Sequence, residues 1–167
     1  MSRHLLSGEA NNYPLRAAYY KLNYIRAPTA DKTLKEIATK MANLDIALLT
    51  THTSRGQLSS RPMSNNGDVE YDGNSYYFTF EQSRTVSDIT ENSQVSLGFS
   101  GAQGLYVTIV GTGHLIRHKP TMQQHWVPDL DKWFKDGIDT PGVVLVRVEA
   151  KRIKYWRGED EGELQIK

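Results

Sequence analysis

Apolar positions recur along the chain with two different periods, and the change from one to the other predicts its organisation. Leu34, Ile37, Ala38, Met41 and Leu44 form one stripe at helical spacing, which predicts a helix in the stretch that begins at Thr29. Thr33 and Glu36 fit a capping box, and Asp31 places negative charge in the first turn. After this helix the period drops to two. Ile46–Thr53 and Gln57–Ser64, joined by Ser54-Arg55-Gly56, read as a hairpin. Ser75–Phe80 is an aromatic strand, Thr85–Glu91 a short helix, and Gln94–Ser100 a further strand. Leu105–Ile116 is a long strand with kinks expected at Gly111 and Gly113.

Turn residues punctuate these elements at Asn65-Asn66-Gly67-Asp68, Tyr71-Asp72-Gly73-Asn74 and Gly101-Ala102-Gln103-Gly104. Lys119–Asp136 then interrupts the strands. Pro120 and Pro128 stand at helix starts there, and Trp126, Leu130, Trp133 and Phe134 offer apolar contacts. In the last strand, Gly142–Trp156, Val144, Val146 and Val148 alternate with Arg147, Glu149 and Lys151. The parity shifts after Ala150, so that Ile153 and Tyr155 share a face, and this predicts a bulge.

About six antiparallel strands with two or three short helices make the chain mainly β, a small closed or split barrel with flanking helices. Residues 1–30 mix Asn11, Asn12, Pro14, Pro28 and several tyrosines without a sustained period and read as an N-terminal extension. Residues 31–158 then form the barrel domain, and 159–167 a charged C-terminal tail.

Composition narrows the function. A chain of 167 residues holds one domain of ordinary size. Lys+Arg 20 against Asp+Glu 19 leaves a formal charge of +1, so no basic field gathers nucleic acid. The absence of cysteine excludes disulfides, thiolate metal sites and cysteine nucleophiles. Apolar runs such as Ala47-Leu48-Leu49 are too short to span a membrane, and the first residues lack an apolar stretch suited to secretion. The expectation is a soluble, cytoplasmic protein.

The candidate chemistry is sparse. His114 and His118 are four residues apart in a strand region, without the His-Glu-x-x-His pattern or a neighbouring carboxylate in the sequence, and read as surface histidines, as does His52. The short glycine pairs at Gly101/Gly104 and Gly111/Gly113 do not make a phosphate loop, and Gly-x-Ser-x-Gly does not occur. Two stretches stand out. One is Ser60-Arg61-Pro62-Met63, where proline in a strand-like run demands an edge or a bend. The other is Phe78-Thr79-Phe80-Glu81-Gln82-Ser83-Arg84-Thr85, a strand running through hydroxyls and an arginine into a helix start. Helix N-termini favour anions and guanidinium groups grip phosphates, so the two arginines suit a phosphomonoester, with ordinary surface arginines as the alternative.

The order Leu49-Thr50-Thr51, Ser60-Arg61-Pro62-Met63, Phe78-Thr79 and Ser83-Arg84 resembles the FMN-binding split-barrel superfamily of the pyridoxamine-phosphate oxidases. Val107–Gly111, Trp126-Val127-Pro128, Trp133–Pro141 and Tyr155-Trp156 look like its general stress protein branch. The resemblance covers about residues 34 to 157. It implies a Greek-key split barrel, a homodimer and FMN in clefts at the subunit interface. Carried over by position, it implies that Arg61, Pro62 and Met63 meet the flavin from the early strand, with Arg61 reaching the phosphate or ribityl chain. It further implies that Phe78 and Thr79 run along the cofactor, that Ser83, Arg84 and Thr85 hold the phosphate, and that Tyr106 and Trp156 approach from elsewhere. Thr85 stands where the family commonly has lysine, which removes one phosphate cation. Asn65 and Asn66 replace the lysine of true pyridoxamine-phosphate oxidases, and the late Arg-x-His substrate motif is missing, which argues against vitamin B6 oxidation. The functional expectation is an FMN-dependent oxidoreductase of unassigned substrate. The alternative is a stress protein that binds or senses FMN without turnover. No side chain is singled out as a general acid or base.

Overall fold

The computed structural model describes residues 30–31, 33–42, 44–64 and 71–166. The predicted extension, apart from Ala30, and the Asn65–Asp68 turn lie outside them. In chain order the elements are β1 (Ala30–Asp31), α1 (Leu34–Met41), β2 (Ile46–His52), β3 (Leu58–Ser64), β4 (Asn74–Phe80), α2 (Arg84–Glu91), β5 (Gln94–Ser100), β6 (Leu105–Ile116), α3 (Lys119–Gln124), β7 (Val143–Arg157) and β8 (Asp160–Gln165). Single turns of 3-10 helix lie at Ala102–Gly104, Pro128–Lys132 and Gly137–Asp139.

The strands form one curled, mainly antiparallel sheet in the order β1-β8-β7-β6-β5-β2-β3. β4 leaves its sequence neighbour β3 and pairs with the first half of β7 instead. The second half of β7 pairs with β8 on that same side. Among the described residues β3 has β2 as its one ladder partner and β4 has β7, so the barrel is split at these two strand edges. This is the expected split barrel, with α1 and α2 packed on it.

Local chemistry accounts for the elements. Thr33 caps α1 as expected: its Oγ1 accepts from the amide of Glu36, and the Glu36 carboxylate accepts from the amide of Thr33 at 2.8 Å. The helix therefore starts later than Thr29, and Asp31 falls in β1 rather than in the first turn. The parity shift in β7 is a bulge: Ala150 faces Gly111 and Arg152 faces Val110, so Lys151 is the extra residue. The predicted charged tail is instead β8. Gly158 takes a positive φ of 63° in a two-residue turn, Arg157 pairs with Asp160, and buried Gly162 lies between half-buried neighbours along the strand. Charge at the outward positions hides that strand in the sequence.

The main core fills the barrel with Ile37 and Met41 of α1, Ile89 of α2 and Leu49, Tyr77, Leu97, Ile109, Ile153 and Tyr155 of the strands. A second core lies on the opposite face of β4 and β7, where Met122, Phe134, Val143 and Leu145 pack with Phe78 and Trp126. Because both faces of β7 are covered there, Val143–Val146 are all buried and the strand reads as a continuous apolar run. No described helix is long and apolar enough to cross a membrane.

Candidate functional site

The inner face of β3, the end of β4 and the start of α2 converge where the barrel is split. Alternation along β3 turns Arg61 and Met63 inward and leaves Pro62 exposed on the outer face, opposite Leu48. Pro62 is tolerated because β3 has its other edge unpaired among the described residues. Arg61 reaches across β2 to α2. Its Nη1 donates to Thr51 Oγ1 at 2.6 Å, and its Nη2 donates to Asp88 Oδ2 at 3.1 Å. Thr51 donates in turn to the same carboxylate oxygen at 2.5 Å. Thr51 is fully buried and Asp88 nearly so, so the three side chains form a closed, hydrogen-bonded unit in which the two charges compensate.

Helix α2 carries the next residues. Ser83 is its N-cap, with Oγ accepting from the amide of Val86 at 3.3 Å. The amides of Arg84 and Thr85 belong to the first turn, which helix geometry leaves without intrahelical partners. Thr85 is buried, whereas Arg84 is exposed and has no ion pair among the described residues. The approach to this helix is clipped in place. Glu81 accepts two hydrogen bonds from Arg117, at 2.8 and 2.6 Å, and its amide donates to the carbonyl of Gly142. The Arg117 guanidinium holds the Glu81 carboxyl below its ordinary pKa.

The other predicted residues separate by face. Thr79 is half-buried on the Tyr77 side of β4, but Phe78 points into the second core, edge-on to Trp126 at 4.9 Å and to Phe134 at 6.4 Å. Tyr106 and Trp156 are directly opposed across β6 and β7 on the outer face of the sheet, with Lys154 Nζ 5.1 Å from the Trp156 ring. Arg61, Thr79 and Ser83–Thr85 thus lie around α2, while Pro62, Tyr106 and Trp156 face outward.

Two partners in this site escaped the sequence reading, Asp88 and the hydroxyl of Thr51. Asp88 sits between buried Thr85 and buried Ile89 on the apolar stripe of α2, and a carboxylate on such a stripe is the signal that a cation waits inside. The histidines diverge: His114 Nε2 lies 3.1 Å from Glu149 Oε2, a carboxylate brought in from β7, while His118 Nδ1 bonds Thr121. Among the described residues there is no group of three or more metal-ligating side chains.

A sequence model described as pyridoxamine 5'-phosphate oxidase like matches residues 32–166. The chain belongs to that family. The match runs through β8, beyond the stretch on which the sequence resemblance rested. Proteins of known structure share the fold. A Clostridium acetobutylicum protein related to general stress protein 26 superposes with a TM-score of 0.69 at 19% identity, over 80% of this chain and 94% of that one. General stress protein 26 from Bacillus anthracis gives 0.66 at 21% identity, over 80% and 98%. A haem-binding protein from Mycobacterium smegmatis gives 0.64 at 13% identity, over 81% of this chain and 59% of that one. Among proteins of curated function, none matches this sequence.

Proposed function

We propose that this pyridoxamine-phosphate-oxidase-like protein is a homodimeric flavoprotein that binds FMN and uses it as an oxidoreductase on a small molecule. The observation that carries the reading is Arg84, an exposed guanidinium with no ion pair among the described residues, placed at the N-terminus of a helix capped by Ser83. That combination of a cation, a hydroxyl and first-turn amides suits a phosphate. The residues present fit FMN: Ser83, Arg84 and the amides of α2 would hold its phosphate, and Met63 and Thr79 would lie along the remainder. Bound FMN supplies hydride or electron transfer at its N5, and the chain supplies binding and orientation.

The homodimer is supported by the outer sheet face. Ile46, Leu48, Tyr106 and Val110 share it at 52%, 52%, 55% and 41% exposure, an apolar surface suited to burial against a second copy. Only such an arrangement lets Tyr106 and Trp156 of one protomer approach the α2 site of another.

The visible absorption spectrum of the purified protein, followed by heat release and identification of the ligand, tests this. Stoichiometric FMN is expected, with loss of colour in Arg84→Ala. A haem spectrum, or a colourless protein that takes up no added FMN, overturns the reading. Steady-state oxidation of a reduced nicotinamide separates an oxidoreductase from an FMN-binding protein without turnover.

A further inference from the structure

We propose that Asp88 weakens the anion seat at α2 by cancelling the charge of Arg61, making it the residue that sets how strongly this site prefers a phosphorylated flavin. The inference rests on the FMN reading above and concerns what this chain has done to the seat. Two of the arginines in the candidate site are not equivalent. Arg84 is exposed, without an ion pair among the described residues, whereas Arg61 gives Nη2 to Asp88 at 3.1 Å and Nη1 to Thr51 at 2.6 Å. Thr51 closes the triangle by donating to Asp88 at 2.5 Å. The side chains of Arg61 and Asp88 are 20% and 9% exposed, so water screens the pair little and the guanidinium has no reason to leave it.

Asp88 lies four residues beyond Arg84, about 6 Å along the helix axis, close enough to act on an anion bound at that end. The sum of Arg61, Asp88 and Arg84 is one positive charge. Thr85 contributes none. A phosphomonoester carries about two negative charges at neutral pH, so the seat is under-compensated by design of the sequence. Neutralising Asp88 raises the local charge to two without moving an atom of the helix.

The test compares Asp88→Asn with the parent. The amide can still accept from Thr51 and Arg61, so packing is kept. Binding of FMN and riboflavin is followed by flavin fluorescence, and binding of inorganic phosphate by the rise in melting temperature. FMN should tighten about tenfold at low salt while riboflavin changes less than about twofold, and the gain should fade in about 1 M salt. A structural role alone would weaken both flavins together or neither, and FMN binding left unchanged or weakened overturns the inference. If neither flavin binds parent or variant, the FMN reading fails and phosphate decides. A larger thermal rise in Asp88→Asn upholds the charge cancellation, and equal rises overturn it. A second variant covers failure of the first to fold. Arg84→Gln should bring FMN affinity to within about fivefold of riboflavin, the remainder due to the helix end. A larger surviving preference means that Arg61 acts as a second cation and overturns the inference.

Discussion

Gly111 on β6 lies so close to Glu149 on β7 that a Cβ added to it would fall 2.1 Å from the Glu149 carbonyl oxygen. The contact is the consequence of the bulge at Lys151, which draws the two backbones together where the register shifts. The strand on one side of that bulge serves the second core and on the other side meets β8, so the bulge is what lets a single long strand hold both. Gly111→Ala must move backbone, not a flexible side chain. The expected cost is about 3 kcal/mol, read as a lower denaturation midpoint with an unchanged slope. Gly98→Ala, whose Cβ meets nothing within 4 Å, is the control and should change stability far less.

Several of these features were legible in the sequence because their causes are local. The capping box of Thr33 and Glu36, the β2–β3 hairpin and the bulge after Ala150 each follow from neighbours within a few positions. What the sequence concealed depends on distant partners. β8 looked like a tail because its outward positions are acidic and only Gly162, Leu164 and Ile166 mark the inner side. The place of the Phe78 ring was equally hidden, because nothing in its own strand shows that Trp126 and Phe134 cover it. Arg61 was readable as a cation but not as a compensated one, since Asp88 lies 27 residues away.

That compensation has a stability consequence separate from binding. Asp88→Ala strands the Arg61 guanidinium and the Thr51 hydroxyl beside a buried helix face. A loss of about 3 kcal/mol is expected, since removing one member of a buried pair leaves the other unsatisfied. The replacement Arg61→Met with Asp88→Leu should recover most of it. Chemical denaturation of the three variants checks the order, and a double variant as unstable as Asp88→Ala would contradict it.

Tyr77 presents the opposite case. The residue is 2% exposed, and among the described residues neither its buried hydroxyl nor that of Ser75 meets hydrogen-bond geometry with a partner. Burial accordingly pushes the phenol well above its ordinary pKa. Tyr77→Phe removes the unsatisfied group and keeps the ring. It should stabilise the fold by about 1 kcal/mol, whereas Tyr77→Ala should cost about 3–5 kcal/mol through the cavity it leaves. Paired denaturation curves distinguish the two effects.

His125 stacks on Tyr76 with ring centroids 3.7 Å apart and planes 16° from parallel. Burial lowers its pKa from the ordinary 6.5, against a smaller upward pull from Asp72. A group whose folded pKa is depressed is protonated more readily in the unfolded chain, so stability rises with pH through this range. The contribution is complete above about pH 6.5 and is lost as the pH falls toward the folded value. His125→Phe keeps an aromatic ring on Tyr76 and has no proton to bind. Its stability should fall less than the parent's between about pH 7 and pH 5.5, measured by urea midpoints at each pH.

Leu48 explains why the outer face is both apolar and open. Its cross-strand neighbours are Pro62 on β3 and Gly98 on β5, neither of which has a side chain long enough to cover it. Ile46 shares that face of β2, and Tyr106 and Val110 extend it onto β6, so the patch crosses four strands with little charge until Arg152 and Lys154 on β7. A second copy laid on this surface would bury it. Leu48→Asp places a carboxylate at its centre, where association would have to desolvate a charge with no partner. The fold should survive, because Leu48 makes no part of either core, and the circular dichroism spectrum should match the parent's. The mass in solution should drop from dimer to monomer by light scattering. On the proposed dimeric, FMN-binding reading, losing the partner would also take its Tyr106 and Trp156 away from the α2 site, so flavin retention should fall with it. A variant that stays dimeric would place the interface elsewhere, and a parent that is already monomeric would overturn the homodimer.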